Sequence, residues 1–130
     1  MKISVSREEA RVPVTILHLD GALTTEEELE EAAQREMDDG ARYLLVDLAK
    51  VPYMATAGLR ALHSIYESLR DLEAERSDDE VRKGISSGTY ASAHLKLLSP
   101  TEHTLESLRT AGYDMFLDIF KDRKKALAAF

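Results

Sequence analysis

The residue with the clearest capacity for chemistry is Thr56. It stands among small residues, Ala55, Ala57 and Gly58. A helix is predicted to begin here, so the plainest role of the hydroxyl is to cap that helix, which is typically worth about 1 kcal/mol. The small neighbours also leave backbone N–H groups approachable, and the helix dipole favours anions at this end. Thr56 is therefore a candidate phosphate acceptor, where a phosphate would repel a docked partner by its added charge.

No other set of residues has the spacing of a known catalytic or metal site. The histidines are not paired at helical spacing, and the chain has no cysteine. Phosphate-binding loops, Gly-x-Ser-x-Gly elbows and dinucleotide-binding glycine patterns are also missing from the sequence. Because a nucleophile without a base partner is not an active site, we expect no enzyme, no metal and no cofactor. The histidines, interpreted as surface or edge residues, are His18, His63, His94 and His103.

Length and composition indicate one ordinary globular domain. The chain has 130 residues, of which 44% are hydrophobic and 32% charged. No apolar stretch approaches the roughly 20 residues that span a bilayer, and the first residues lack the apolar region of a secretory signal. We therefore expect a cytoplasmic protein without membrane insertion. A net charge of −7 argues against a nucleic-acid partner, which would require a basic face.

The negative charge is concentrated in one segment, residues 24–39. The segment holds eight acidic residues and one basic residue, Arg35, so that it alone carries −7 and the rest of the chain balances to zero. The simplest interpretation is a solvated helix face, which is what most charge runs are. The alternative is a surface that selects or steers a basic partner.

Hydrophobic periodicity predicts the order β-β-α-β-α-β-α-β-α. Predicted strands are residues 1–5, 12–19, 43–48, 94–98 and 115–120, with a hairpin loop at 7–10. Predicted helices begin near 24, 56, 99 and 122, and the second ends at 72. Alternating strands and helices indicate an α/β fold with a mixed, largely parallel sheet of four to five strands and about four helices.

Capping residues and composition refine this outline. Thr24 or Thr25 is predicted to cap the first helix, whose apolar face would hold Leu29, Ala32, Ala33 and Met37. Ser99 is predicted to cap the third helix, with Pro100 at its first position. Residues 73–93 have few apolar anchors, which predicts a flexible insertion in the domain 1–130 that is either functional or partly helical near 78–82.

Five segments carry a resemblance to a known family. In chain order they are residues 19–23 (LDGAL), 45–48 (LVDL), 53–59 (YMATAGL), 95–100 (LKLLSP) and 111–120 (AGYDMFLDIF). Their order and spacing resemble the STAS domain, the fold of bacterial anti-sigma factor antagonists. The resemblance covers nearly the whole chain apart from residues 73–93.

The resemblance implies a binding switch rather than an enzyme. In that family an anti-sigma factor that is also a serine/threonine kinase phosphorylates the residue aligned with Thr56. The unphosphorylated form binds this partner and frees the sigma factor. Ala55 and Thr24 stand where the family has acids, and binding does not require them. The residues implied to contact the partner are Thr24, Asp47, at a strand end, Ala55, Thr56, Ala57, Gly58 and Leu59.

Two other functions fit the same resemblance. Some STAS proteins are accessory subunits of ABC-type lipid transporters, and a threonine at position 56 would suit contact rather than phosphate transfer. A scaffold or sensor in a larger signalling assembly is the third interpretation, with residues 73–93 as a contact loop. The sequence leaves the oligomeric state open, including a homodimer.

Overall fold

The computed structural model describes the backbone of residues 1–76 and 92–130, and the side chains of all of these except 74–76. The strands are β1 (Lys2–Glu9), β2 (Pro13–Asp20), β3 (Leu44–Lys50), β4 (Leu95–Leu98) and β5 (Asp118–Phe120). Helices in the described ranges are α1 (Glu27–Asp38), α2 (Thr56–Arg76), α3 (Glu102–Thr110) and α4 (Arg123–Ala128), with a 3₁₀ turn at Tyr113–Met115.

The strands form one mixed sheet in the order β1-β2-β3-β4-β5. β1 and β2 form an antiparallel hairpin, whereas β2, β3, β4 and β5 run parallel to one another. The predicted order of elements is confirmed for residues 1–76 and 92–130, and the mixed, largely parallel sheet is confirmed. Because β2, β3 and β4 carry apolar side chains on both faces, each has helices or other apolar groups on both sides.

The two faces of the sheet bury cores of different size. The larger core lies under α1, α2 and α3, and on β3 it takes Leu44, Val46 and Leu48. Leu45 points to the opposite face, where a smaller core includes Ala126 of α4. This alternation explains why β3 appears in the sequence as a nearly continuous apolar run.

The predicted apolar face of α1 is confirmed, but its predicted cap is wrong. Its buried residues are Leu29, Ala32, Ala33 and Met37. Glu26 occupies the N-cap position and makes no side-chain capping hydrogen bond. Leu23 is held in a bridge to Met54, so the chain is still leaving that bridge at Thr24 and Thr25. A tertiary contact therefore moves the helix start beyond both threonines.

The start of α3 also differs from the prediction. Ser99 does not cap it, because its backbone N–H donates to Phe120 O at 2.7 Å and its φ is 52°. Thr101 is the cap, and its side chain accepts from the Thr104 N–H. The hydrogen bond from Ser99 extends the pairing of β4 with β5, which delays the helix.

Three further boundaries are corrected. β1 continues through Glu9, so the predicted loop at 7–10 is mostly strand. The last strand begins at Asp118 rather than 115, since Tyr113–Met115 forms the 3₁₀ turn. α2 extends beyond residue 72 to Arg76, which assigns the start of the predicted insertion to helix. Residues 77–91, including the segment predicted to be partly helical near 78–82, lie outside the described residues.

None of the described helices combines the length and the apolar character that crossing a membrane requires.

The pair formed by Lys96 of β4 and Asp118 of β5 allows a test of how a buried charge contributes to stability. The Lys96 side chain is 4% exposed, and Nζ lies 3.0 Å from Asp118 Oδ2 and 5.4 Å from the ring centre of Phe130. We expect Asp118→Ala to lower the free energy of unfolding by about 1–3 kcal/mol, because a buried ammonium loses its carboxylate. The lower end applies, since Asp118 is itself 47% exposed.

Lys96→Met should be neutral or stabilising, because an apolar chain of similar length replaces the buried charge. Urea unfolding measures both changes, and Lys121→Met serves as the control at an exposed lysine of the same region. Equal losses in Lys96→Met and Asp118→Ala would contradict this account of the pair.

Candidate functional site

Thr56 is exposed at the first turn of α2, and a short parallel bridge fixes its position. The bridge joins Leu23 to Met54. Leu23 N–H donates to Tyr53 O at 2.9 Å, and Ala55 N–H donates to Leu23 O at 3.0 Å. The segment after β2 is thereby held beside the start of α2. We call the resulting surface, formed by Thr24, Ala55, Thr56, Ala57 and Leu59, the Thr56 edge.

Gly58 lies beneath this edge and is required by close packing. A Cβ at this position would lie 2.8 Å from Leu23 Cγ and 2.9 Å from Met54 Cγ, which is closer than carbon atoms pack. The backbone N–H of Gly58 donates to Ala55 O. Of the N–H groups predicted to be approachable at this turn, those of Ala55 and Gly58 are therefore used within the chain. The absence of a side chain at Gly58 lets Leu23 and Met54 pack directly beneath the Thr56 edge.

A groove of about 450 Å³ runs beside Thr56, between the start of α2 and α3. Tyr53 is 46% exposed at this groove, and its ring centre lies 5.3 Å from that of His103 on α3. We call it the α2–α3 groove; its lining residues are Tyr53, Met54, Ala55, Thr56, Leu59, His103, Glu106, Ser107, Thr110 and Ala111.

Two threonine hydroxyls hold the far wall of the groove in place. Thr101 Oγ1 and Thr104 Oγ1 lie 3.0 and 3.1 Å from Val51 O, the carbonyl that follows β3. Thr104 is fully buried. The start of α3 is thus hydrogen-bonded to the loop that leads into Thr56, so the spacing of the two walls is fixed by the chain itself.

Asp47 lies away from the Thr56 edge. Val46 and Leu48 face the larger core, so Asp47 between them faces the other side of the sheet. Its carboxylate lies 3.0 Å from His18 Nδ1 and accepts from the Ala49 N–H at 3.1 Å. The strand continues beyond it, so the prediction that Asp47 ends the strand is wrong. Thr24 and residues 55–59 are brought together, whereas Asp47 is not.

The acidic helix α1 borders the edge at its N-terminus. Glu26 pairs with Arg60 of α2 at 3.2 Å. At the other end of α1, Arg7 of β1 pairs with Asp39 at 2.9 Å and Glu36 at 3.3 Å. The pKa of Arg7 is raised by the hydrogen bond to Asp39 and then by that to Glu36. Part of the acidic charge is thus balanced locally, although several glutamates of α1 remain exposed.

The edge offers a hydroxyl and a groove rather than a set of metal ligands. In the described ranges, no group of three or more histidine, aspartate or glutamate side chains is placed to hold a metal ion. Sequence reasoning missed the contribution of α3, including His103. The signal was available, because helices that follow neighbouring parallel strands begin at the same edge of a sheet.

Comparison with known proteins identifies the family. A model of the STAS domain matches residues 6–75, more than half of the chain. The protein belongs to the STAS domain family. Comparison with curated protein sequences gives no match.

Solved structures share the fold at low sequence identity. A proposed anti-sigma factor antagonist from Thermotoga maritima is 18% identical, with a TM-score of 0.66, covering 95% of this chain and 90% of that one. An anti-sigma factor antagonist from Mycobacterium paratuberculosis is 18% identical, with a TM-score of 0.66 and coverage of 98% and 93%. The antagonist SpoIIAA in its unphosphorylated form is 12% identical, with a TM-score of 0.59 and coverage of 95% and 92%.

The packing of Gly58 gives a direct test of what shapes the edge. We expect Gly58→Ala to lower the free energy of unfolding by about 1–3 kcal/mol through overpacking. This opposes the gain of about 1 kcal/mol that alanine has over glycine in a helix. Urea unfolding measures the change.

Leu23→Ala provides the matched background, because it removes two of the three atoms closest to the added Cβ. In that background the loss caused by Gly58→Ala should shrink or change sign. An equal loss in both backgrounds would show that contact with Leu23 is not the cause.

Proposed function

We propose that the protein is an anti-sigma factor antagonist, which binds an anti-sigma factor with serine/threonine kinase activity through the Thr56 edge. The observation that carries the proposal is the exposed Thr56 hydroxyl at the start of α2, beside the α2–α3 groove. Membership of the STAS family and the antagonists among proteins of similar fold support it. At this edge the protein acts by binding.

The α2–α3 groove supplies a surface of mixed character for that partner. Tyr53 and Leu59 present apolar area, and aromatic residues of this kind are frequent anchors in interfaces. Glu106 and the hydroxyls of Ser107 and Thr110 line the opposite wall. Together with the exposed acids of α1, this composition favours a partner that brings basic and apolar side chains.

Phosphorylation of Thr56 would act on this surface by charge. A phosphate adds about 1.5 to 2 negative charges. Glu106 lines the same groove, and Glu26 lies at the neighbouring start of α1, so the added charge joins acids that are already present. A partner docked closely over Thr56 would then be displaced by the bulk of the phosphate and by the cost of burying its charge among the acids of this surface.

Ala55 and Thr24 stand where the STAS family has acidic residues, which limits what the chain itself can contribute to phosphate transfer. Neither residue has a carboxylate to bind a metal ion or to accept a proton. The kinase would therefore have to supply the metal-binding groups and the base. Binding without phosphorylation requires neither metal-binding groups nor a base, so it does not depend on acids at positions 24 and 55.

The remaining expectations follow from this role. An antagonist that binds a regulator of a sigma factor would work in the cytoplasm.

An accessory subunit of a transporter and a scaffold stay alternatives. A sigma factor or kinase gene beside this one would favour the antagonist, whereas ATPase and permease genes would favour the transporter subunit. Asp47 would contact the partner only if the interface reached the other face of the sheet.

A binding assay with matched variants tests the edge. The kinase-like ATPase encoded nearest to this gene is titrated against wild type, Thr56→Glu and Thr56→Val by calorimetry. We expect Thr56→Glu to weaken binding at least about tenfold, or about 1.4 kcal/mol, by placing a charge in the contact. Thr56→Val, which keeps the shape without the hydroxyl, should retain binding.

Ser4→Glu is the control, because it adds the same charge at an exposed position of β1 away from the edge. Equal weakening by Ser4→Glu and Thr56→Glu would contradict docking at the Thr56 edge. Incubation with the kinase and ATP, followed by mass spectrometry, tests the phosphate separately. Intact binding without label on Thr56 would remove only the phosphorylation step.

A further inference from the structure

Three polar side chains form a hydrogen-bonded line across β1, β2 and β3. Ser6 Oγ lies 2.8 Å from His18 Nε2, and His18 Nδ1 lies 3.0 Å from Asp47 Oδ2. His18 and Asp47 are on the sheet face opposite the larger core, because they alternate with residues that face it. The line is therefore on the other side of the sheet from α1 and α2.

With Asp47 ionised and His18 neutral, the two hydrogen bonds have one consistent direction. An ionised Asp47 can only accept, so His18 Nδ1 carries a hydrogen and donates to it. A neutral His18 then has a free electron pair on Nε2, which accepts the hydroxyl hydrogen of Ser6. The other carboxylate oxygen of Asp47 accepts from the Ala49 N–H at 3.1 Å, which fixes its orientation. Each group thus has the role it needs to activate the serine hydroxyl.

This arrangement is the geometric signature of an activated nucleophile. A nucleophile and its base lie within hydrogen-bond distance, and a third group orients the base. Sequence reasoning found no nucleophile with a base partner, whereas the structure places the Ser6 hydroxyl within hydrogen-bond distance of His18. The side chains of His18 and Asp47 are 30% and 23% exposed, so the site is open to small molecules.

A surface cavity of about 670 Å³ adjoins the three residues. His18 and Asp47 both line it, as do Ser4, Lys2 and Lys50, and Ser6 lies beside it in contact with His18. Lys2 and Lys50 give one end of the cavity a positive charge, which favours the carboxylate product of an ester. α4 covers Leu45 and Leu98 on this face but is absent from the residues that line the cavity.

We propose that Ser6, His18 and Asp47 form an acyl-transfer site that acts on small carboxylic esters. Ser6 Oγ attacks the carbonyl carbon while its proton passes to His18 Nε2. The tetrahedral adduct then breaks its bond to the alcohol oxygen, which leaves with the proton from His18. Water attacks the acyl-serine, His18 takes its proton and returns it to Ser6 Oγ, and the carboxylic acid is released. Asp47 is a positioning residue that holds the imidazole.

This activity is independent of docking at the Thr56 edge. Neither Ser6 nor His18 lines the α2–α3 groove, and the two sites lie on different sides of the sheet. The protein would therefore combine a binding edge with a separate reactive face. The expectation of no enzymatic activity would then hold for the edge and fail for this face.

Covalent labelling tests the nucleophile. The full chain is incubated with a fluorophosphonate probe, and the modified residue is located by mass spectrometry. We expect label on Ser6 in wild type, none on that peptide in Ser6→Ala, and a rate reduced at least about a hundredfold in His18→Ala, which lacks the base. Ser64→Ala is the matched control, since it removes a serine hydroxyl of α2 on the other side of the sheet, and it should leave labelling unchanged.

Hydrolysis of p-nitrophenyl acetate tests turnover. Ser6→Ala should lose the reaction, Asp47→Asn should be slowed, and Asp47→Glu should regain rate by restoring the carboxylate. A purely structural network would show no label on Ser6, which overturns the proposal. Hydrolysis that depends on His18 but not on Ser6 also overturns it, because imidazole alone would then be the reactive group.

Discussion

The contact on which the Thr56 edge depends is the bridge between Leu23 and Met54. It joins the segment after β2 to the loop after β3, so that the starts of α1 and α2 are held side by side. Leu23 is fully buried, and its side chain occupies the space that a Cβ on Gly58 would need. One glycine, one leucine and two backbone hydrogen bonds therefore determine how far Thr56 projects. Thr56 is exposed directly above these closely packed residues.

Hydrophobic periodicity was sufficient to predict the order of elements, the class of sheet and the buried face of α1. It failed at the ends of elements, because tertiary contacts determine the residue at which a helix or strand begins or ends. The bridge at Leu23 moves the start of α1 beyond two threonines that were good caps on local grounds. Pairing of Ser99 with Phe120 does the same to α3. β1 is longer than its pattern indicated because the register of β2, rather than its own polar sequence, sets its length.

The candidate sites differ in how far they could be predicted. Thr56 could be found from local sequence, since a strand, a loop, small residues and a helix follow one another directly. The α2–α3 groove required knowing that α3 starts at the same edge. The line through Ser6, His18 and Asp47 could not be found from spacing, because the residues are 12 and 29 positions apart and belong to no motif. Only the register of three adjacent strands brings them together.

The two edges of the sheet have a consequence for how the molecule behaves at high concentration. β1 is long but bears Lys2, Arg7, Glu8 and Glu9, and β5 has only three residues. Charged or very short edges resist the addition of strands from another chain, which is how many β-containing proteins avoid fibrous aggregation. Arg123 of α4 also pairs with Glu8 at 2.6 Å, which ties a helix to the longer edge. Self-association through backbone pairing at the edge strands is therefore disfavoured. The charged edge of β1 and the short edge of β5 oppose aggregation in addition to the net charge of the protein.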